Sequence, residues 1–233
     1  MFDYRQVSHG EINERSVNVE DLEFMKVDCN GSYNFEARTP FKQSSTMKMK
    51  YWEKSPEKKP FNVLFIGYDS TSRKHVYRGF NRTMKIMQSM GFLDFRGHHA
   101  LLPQTIPNFY AFTSGLSTNE MENGCHPKRE DYYDDCPFIW KNYAAHNVVT
   151  ALVEDHPGQL NFGGQIGFKV RPTDYYVHPL MEAVGDIEWM RNWVKKLHRI
   201  ALKQMTEIFI NCTSSPFYRP HSLAYRRSQP SRC

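Results

Sequence analysis

Apolar and polar positions settle into recognisable periods only after residue 60. Before it, two short alternating pieces, Leu22–Val27 and Met47–Tyr51, predict strand fragments, and a Lys- and Pro-rich linker follows at Lys54–Pro60. Asn62–Gly67 is a continuous apolar run rich in β-branched and aromatic residues, the pattern of a strand buried on both faces of a parallel sheet. Phe80–Met90 repeats at helical spacing, with Met84, Met87 and Met90 on one face, which predicts core packing. Phe92–His98 alternates as a second strand. Pro107 suits a helix's first position, and Phe109, Phe112, Thr113 and Leu116 extend an apolar face that Gly115 helps to end. Pro137–His146 predicts another helix with Phe138, Ile139, Tyr143 and Ala144 inward. Val148–Val153 reads as a third strand ending at Glu154-Asp155. A glycine-rich loop follows at Pro157–Gly167. Ile187–Ile210, with Trp189, Trp193, Leu197, Ile200 and Met205 in one stripe, is the longest helix expected.

This alternation of strands and helices predicts an α/β fold. Three segments are expected: an N-terminal extension and linker over 1–60, a core over 61–215, and a tail without periodicity over 216–233. The 233 residues suit one domain, or a domain truncated at one end, and 40% hydrophobic residues with 14% aromatics supply a core.

A net charge of +5 is modest. The basic clusters at Lys54–Lys59 and Arg226–Arg227 are not interleaved with stacking aromatics, so nucleic acid is not an expected partner. No apolar run approaches the roughly 20 residues of a membrane span. The first residues, Met-Phe-Asp-Tyr-Arg-Gln, hold no apolar signal core.

The cysteines and sequons point to an oxidising compartment. Cys125 and Cys136 flank a polar loop rich in Asp and Tyr, which reads as a disulfide-closed excursion. Cys29, Cys212 and Cys233 get no pairing from sequence. No Cys-x-x-Cys pair suggests structural zinc. Asn30, Asn81 and Asn211 head Asn-x-Ser/Thr sequons and are candidate glycosylation sites. A secreted or lumenal protein, its signal sequence absent from this chain, is the expectation.

Two positions stand out for chemistry. Asp69 follows the first apolar run, where ligands of open parallel sheets bind. It suits a divalent metal there, or it caps the turn at Ser70–Arg73. Thr105 lies two residues before Pro107, at a helix start whose free N–H groups favour an anion. Its hydroxyl either caps that helix or acts as a nucleophile. Asn108 offers an amide N–H to an anionic group. Of His98 and His99, at most one faces such a site, because neighbours on a strand point oppositely. Asp155 is placed to face the same crevice, and Asp134-Asp135 are expected to be solvated.

Asn-Val-Leu-Phe-Ile-Gly-Tyr-Asp-Ser-Thr-Ser-Arg (62–73), Thr-Ile-Pro-Asn (105–108) and the Ser-Gly that follows resemble the alkaline-phosphatase superfamily, which includes sulfatases and nucleotide phosphodiesterases. Asp-Asp-Cys-Pro-Phe-Ile-Trp (134–140), Val-Thr-Ala-Leu-Val-Glu-Asp (149–155) and Arg-Pro-Thr-Asp-Tyr-Tyr (171–176) resemble more closely an animal branch, the domain of unknown function 229. The resemblance spans roughly residues 20–215. It implies a three-layer α/β/α sandwich with a mostly parallel sheet, C-terminally truncated here, and two divalent cations, usually zinc. It also implies hydrolysis of small phosphate or sulfate esters. Asp69 would be a metal ligand, Thr105 a metal-bound nucleophile, and Asn108 a holder of the transferring group. Superfamily members draw most metal ligands from the C-terminal half. No Asp-His-Gly follows Thr105, and the sole Asp-His, Asp155-His156, comes early. Asp174, His178, Asp186 and His198 sit in other contexts. The chain is therefore expected to be incomplete and inactive by itself. The competing reading is a non-catalytic secreted binding module that keeps the fold.

Overall fold

A computed structural model describes residues 22–29, 32–125, 131–154 and 167–185. Its first element is an antiparallel hairpin, β1 (Phe24–Cys29) and β2 (Ser32–Ala37), with Phe24 opposite Ala37 and Cys29 opposite Ser32. The hairpin packs through Phe35 and Ala37 on Val177, Leu180 and Met181, with Phe24 and Val153 at the margin.

Residues 43–54, expected to include a strand fragment, form helix α1 (Gln43–Lys54). Met-Lys-Met-Lys (47–50) alternates like a strand, but the face that α1 buries carries Ser45, while Met47 and Tyr51 stay exposed. Polar bonds dock the helix. Trp52 Nε1 donates to Asn147 O at 2.9 Å, and Lys48 Nζ reaches Asp174 Oδ2 at 2.8 Å.

The expected buried strand at 62–67 is overturned among the described residues. The segment has no regular secondary structure and pairs with no described strand, and Phe61 and Ile66 are 80% and 56% exposed. Apolar composition sets what a strand can bury; burial needs neighbours. Phe65 meets Phe112 edge-on at 4.8 Å and Tyr68 meets Phe80 at 5.4 Å, yet Phe65 and Tyr68 each stay 53% exposed. Residues 92–98 likewise form no strand; they are irregular, with a turn at 96–97.

Helices α2 (Arg73–Gly79) and α3 (Asn81–Ser89) follow, and neither has a buried residue. The methionines of α3 are thus not core; Met90, just past its end, is exposed. Helix α4 (Thr105–Ser114) begins two residues earlier than expected, so Pro107 lies inside its first turn, where no intrahelical N–H bond is lost. Gly115 closes it at φ 75°, a conformation that favours glycine. Its buried face is Pro107, Tyr110 and Thr113, not Phe112.

Helix α5 (Thr118–Asn123) starts with a capping box. Ser117 Oγ accepts from Glu120 N–H, and Glu120 accepts from Ser117 N–H at 2.7 Å. A 3-10 turn (Tyr133–Asp135) and α6 (Ile139–Ala145) follow. Phe138, just before α6, and Trp140 face inward and stack at 4.5 Å, while Ile139 points out. Of the expected strand at 148–153, only β3 (Ala151–Leu152) pairs, in parallel with β4 (Tyr175–Tyr176). Helix α7 (His178–Gly185) comes next.

Tyr110, Met121, Tyr133, Cys136, Phe138, Trp140, Phe168 and Tyr176 make the larger core, rich in tilted and edge-on ring contacts. The fold is mixed helix and strand with a small parallel pair, consistent with α/β. No three-layer sandwich is formed by the described residues. Asn30, Asp155, His156, Asp186, His198, Asn211, Cys212 and Cys233, and the expected helix over 187–210, lie outside them.

Candidate functional site

The irregular segment 61–68 ends at Asp69, and the backbone then turns through Ser70 at φ 53°, a left-handed conformation that serine seldom adopts. Thr71 Oγ1 donates to Asp69 O at 3.0 Å and Ser70 Oγ to Asp69 Oδ2 at 3.3 Å. Asp69 does not cap the helix that follows. Ser72 does, accepting from His75 N–H at 3.2 Å.

Thr105 is the first residue of α4, and the cap position, Gln104, has no side-chain hydrogen bond. The Thr105 hydroxyl instead crosses to the acid: Oγ1 donates to Asp69 Oδ1 at 2.9 Å. Both side chains are exposed. The acid after the first apolar run and the hydroxyl at the helix start thus form one pair, bridging 36 residues of sequence.

Asn108, one turn into α4, holds the approach to that helix. Its Oδ1 accepts from Leu101 N–H at 2.7 Å, and its Nδ2 donates to Leu102 O at 2.6 Å and to Gln104 O. These bonds use both amide protons and brace the loop that presents Thr105.

An ionic cluster that the sequence reading did not single out centres on Asp94. Arg73 grips it with two hydrogen bonds, from Nε at 3.0 Å and from Nη2, and Tyr77 OH donates at 2.7 Å. These donors hold the Asp94 carboxyl far below the usual carboxylate range, and Asp94 raises the Arg73 guanidinium. Arg96 Nε lies 3.6 Å away. His98 and His99 are exposed; His99 Nδ1 lies 3.1 Å from Gly97 O.

The later acids and histidine serve packing. Asp174 takes Lys48 and Thr150, and His178 Nδ1 contacts the buried Glu154 carboxylate. Asp134 is not simply solvated: its two oxygens accept from Lys169 N–H and Val170 N–H, each at 2.7 Å. The spacing of Asp134 from residues 169–170 gave no local signal for this.

Cys125 and Cys136 are disulfide-bonded, with Cα atoms 5.0 Å apart. Among the described residues no helix is long and apolar enough to cross a membrane.

The family described as "Protein of unknown function (DUF229)" matches residues 4–211. The chain belongs to this family. No curated protein and no solved structure matches it. The family match spans the Asp69 and Thr105 segments, the disulfide and the larger core alike.

Asp69 and Thr105 bring two oxygen donors together, a chemistry suited to a divalent cation. Their number falls short of the four or more ligands that such ions take. Among the described residues no group of three or more His, Cys, Asp or Glu could hold a metal.

Proposed function

We propose that the Asp69–Thr105 pair is the nucleophile side of a hydrolytic site for phosphate or sulfate esters. The 2.9 Å hydrogen bond from Thr105 Oγ1 to Asp69 Oδ1 carries this reading. A hydroxyl becomes a useful nucleophile when a neighbouring group orients it and accepts its proton. Asp69 is within reach to do both. The helix start behind Thr105 adds backbone N–H groups that favour an anionic ester. Asn108 fixes the loop that positions Thr105.

Two divalent cations, zinc foremost, are the cofactors this reading requires. Asp69 and Thr105 would supply oxygen ligands, and the rest must come from beyond the described residues. The three-layer sandwich that the sequence resemblance implies belongs to the same proposal. So does a secreted or lumenal setting, which the Cys125–Cys136 disulfide supports.

Hydrolysis of an aryl phosphate and an aryl sulfate, with zinc present, tests the proposal. Thr105→Ala is expected to lower turnover by about a hundredfold or more, and Thr105→Ser to restore part of it. Unchanged turnover in Thr105→Ala sinks the assignment.

A second reading is a secreted binding module without catalysis. The shortage of metal ligands among the described residues favours it. It predicts no turnover of either ester, and no zinc by elemental analysis in the wild type or in Asp69→Ala.

A further inference from the structure

Asn81-Arg82-Thr83 lies wholly within described residues and opens α3. All three side chains are exposed. The cap position of α3 is Phe80, which makes no side-chain hydrogen bond, and Asn81 follows it as the first residue of the helix. Asn108 is the contrast, since both of its amide protons are used on loop carbonyls. The helix that carries Asn81 buries nothing, and it leaves Ile86 and the following Met90 in water.

We propose that Asn81 carries an N-linked oligosaccharide. This rests on the secreted or lumenal setting proposed above. In the reaction the Asn81 Nδ2 forms a bond to the anomeric carbon of a lipid-diphosphate-linked oligosaccharide. The bond from that carbon to the diphosphate oxygen breaks, the amide loses one proton, and the lipid diphosphate leaves. The Thr83 hydroxyl completes the acceptor sequence. A hydrated glycan at the head of α3 would shield part of a helix that has no buried residue, and would keep Ile86 and Met90 from drawing in other chains.

The test is expression of the chain behind a secretory leader in eukaryotic cells, with Asn30→Gln and Asn211→Gln so that Asn81 is the remaining sequon. Peptide mass spectrometry should find a glycan on Asn81, and peptide-N-glycosidase should remove it and leave Asp at that position. Asn81→Gln and Thr83→Ala should each abolish the modification, while Thr83→Ser should keep it. An unmodified Asn81 peptide, in secreted or in cell-retained chain, overturns the assignment. Whether Cys125 and Cys136 are bonded in the same preparation reports separately on the oxidising-compartment reading.

Discussion

Lys48 and Asp174 lie 126 residues apart in sequence, and Lys48 Nζ sits 2.8 Å from one Asp174 carboxylate oxygen and 2.9 Å from the other. The same carboxylate accepts from Thr150 N–H at 2.8 Å and from the Thr150 hydroxyl at 3.0 Å. Asp174 therefore ties α1 and the start of β3 to the strand it precedes, and both charges are mostly buried. Asp174→Ala would strand a lysine and a backbone N–H, at a cost of about 3 kcal/mol. Asp174→Asn, which keeps the shape, should cost less. Urea unfolding measures both; a loss under about 0.5 kcal/mol for Asp174→Ala would show that the tie is dispensable.

Tyr110 and Tyr133 share a hydrogen bond in the larger core. Burial pushes both phenols above their ordinary 10.0, Tyr133 the further, with Tyr110 beside it adding to the shift. A pKa raised on folding means that the folded state holds the proton more tightly. The stabilisation is then full below pH 10.0 and is lost as the pH climbs above it. Alkaline titration should show these two tyrosines ionising together with the loss of near-ultraviolet circular dichroism. Tyr133→Phe should flatten the loss above pH 10.0. Tyrosinate formation at both residues with the core intact would contradict this account.

The Cys125–Cys136 bond closes a short loop, with a sequence separation of 11, and anchors Cys136 in the core. Reduction should lower stability by about 3 kcal/mol. Denaturation with and without reductant checks this, and Cys125→Ala with Cys136→Ala should match the reduced wild type.

The uncovered run at 61–68 predicts self-association. An exposed apolar run of this length invites another chain. Sedimentation of the wild type should depend on concentration, and Ile66→Lys should shift it toward monomer. A wild type that stays monomeric at high concentration would mean that the run is covered in solution.

Much of this was legible locally. Helices α3, α4 and α6 fall within a few residues of where apolar spacing put them, because a helix answers mainly to its own sequence. The disulfide was legible from the polar loop between its cysteines. Asp69 and Thr105 were visible because each sits at an abrupt change from one pattern to another. The hairpin was missed, although Asn30-Gly31 between its strands is a strong two-residue hairpin pattern. The roles of Asp94, Asp134 and Asp174 were not legible at all. Partners such as Tyr77, Val170 and Lys48 lie 17, 36 and 126 residues from them, and no periodicity spans such distances.

Glu23, beside β1, takes two hydrogen bonds from Arg171, at 2.6 and 2.7 Å, across 148 residues. That contact sets a timetable for the nascent chain. At typical synthesis rates the hairpin would wait roughly 7–30 s for Arg171 to be made, and longer for it to leave the ribosome. Val177, Leu180 and Met181, which cover Phe35, are made later still. Until then Phe35 and Ala37 lack that cover, so the hairpin's burial is a late event set by long-range contacts.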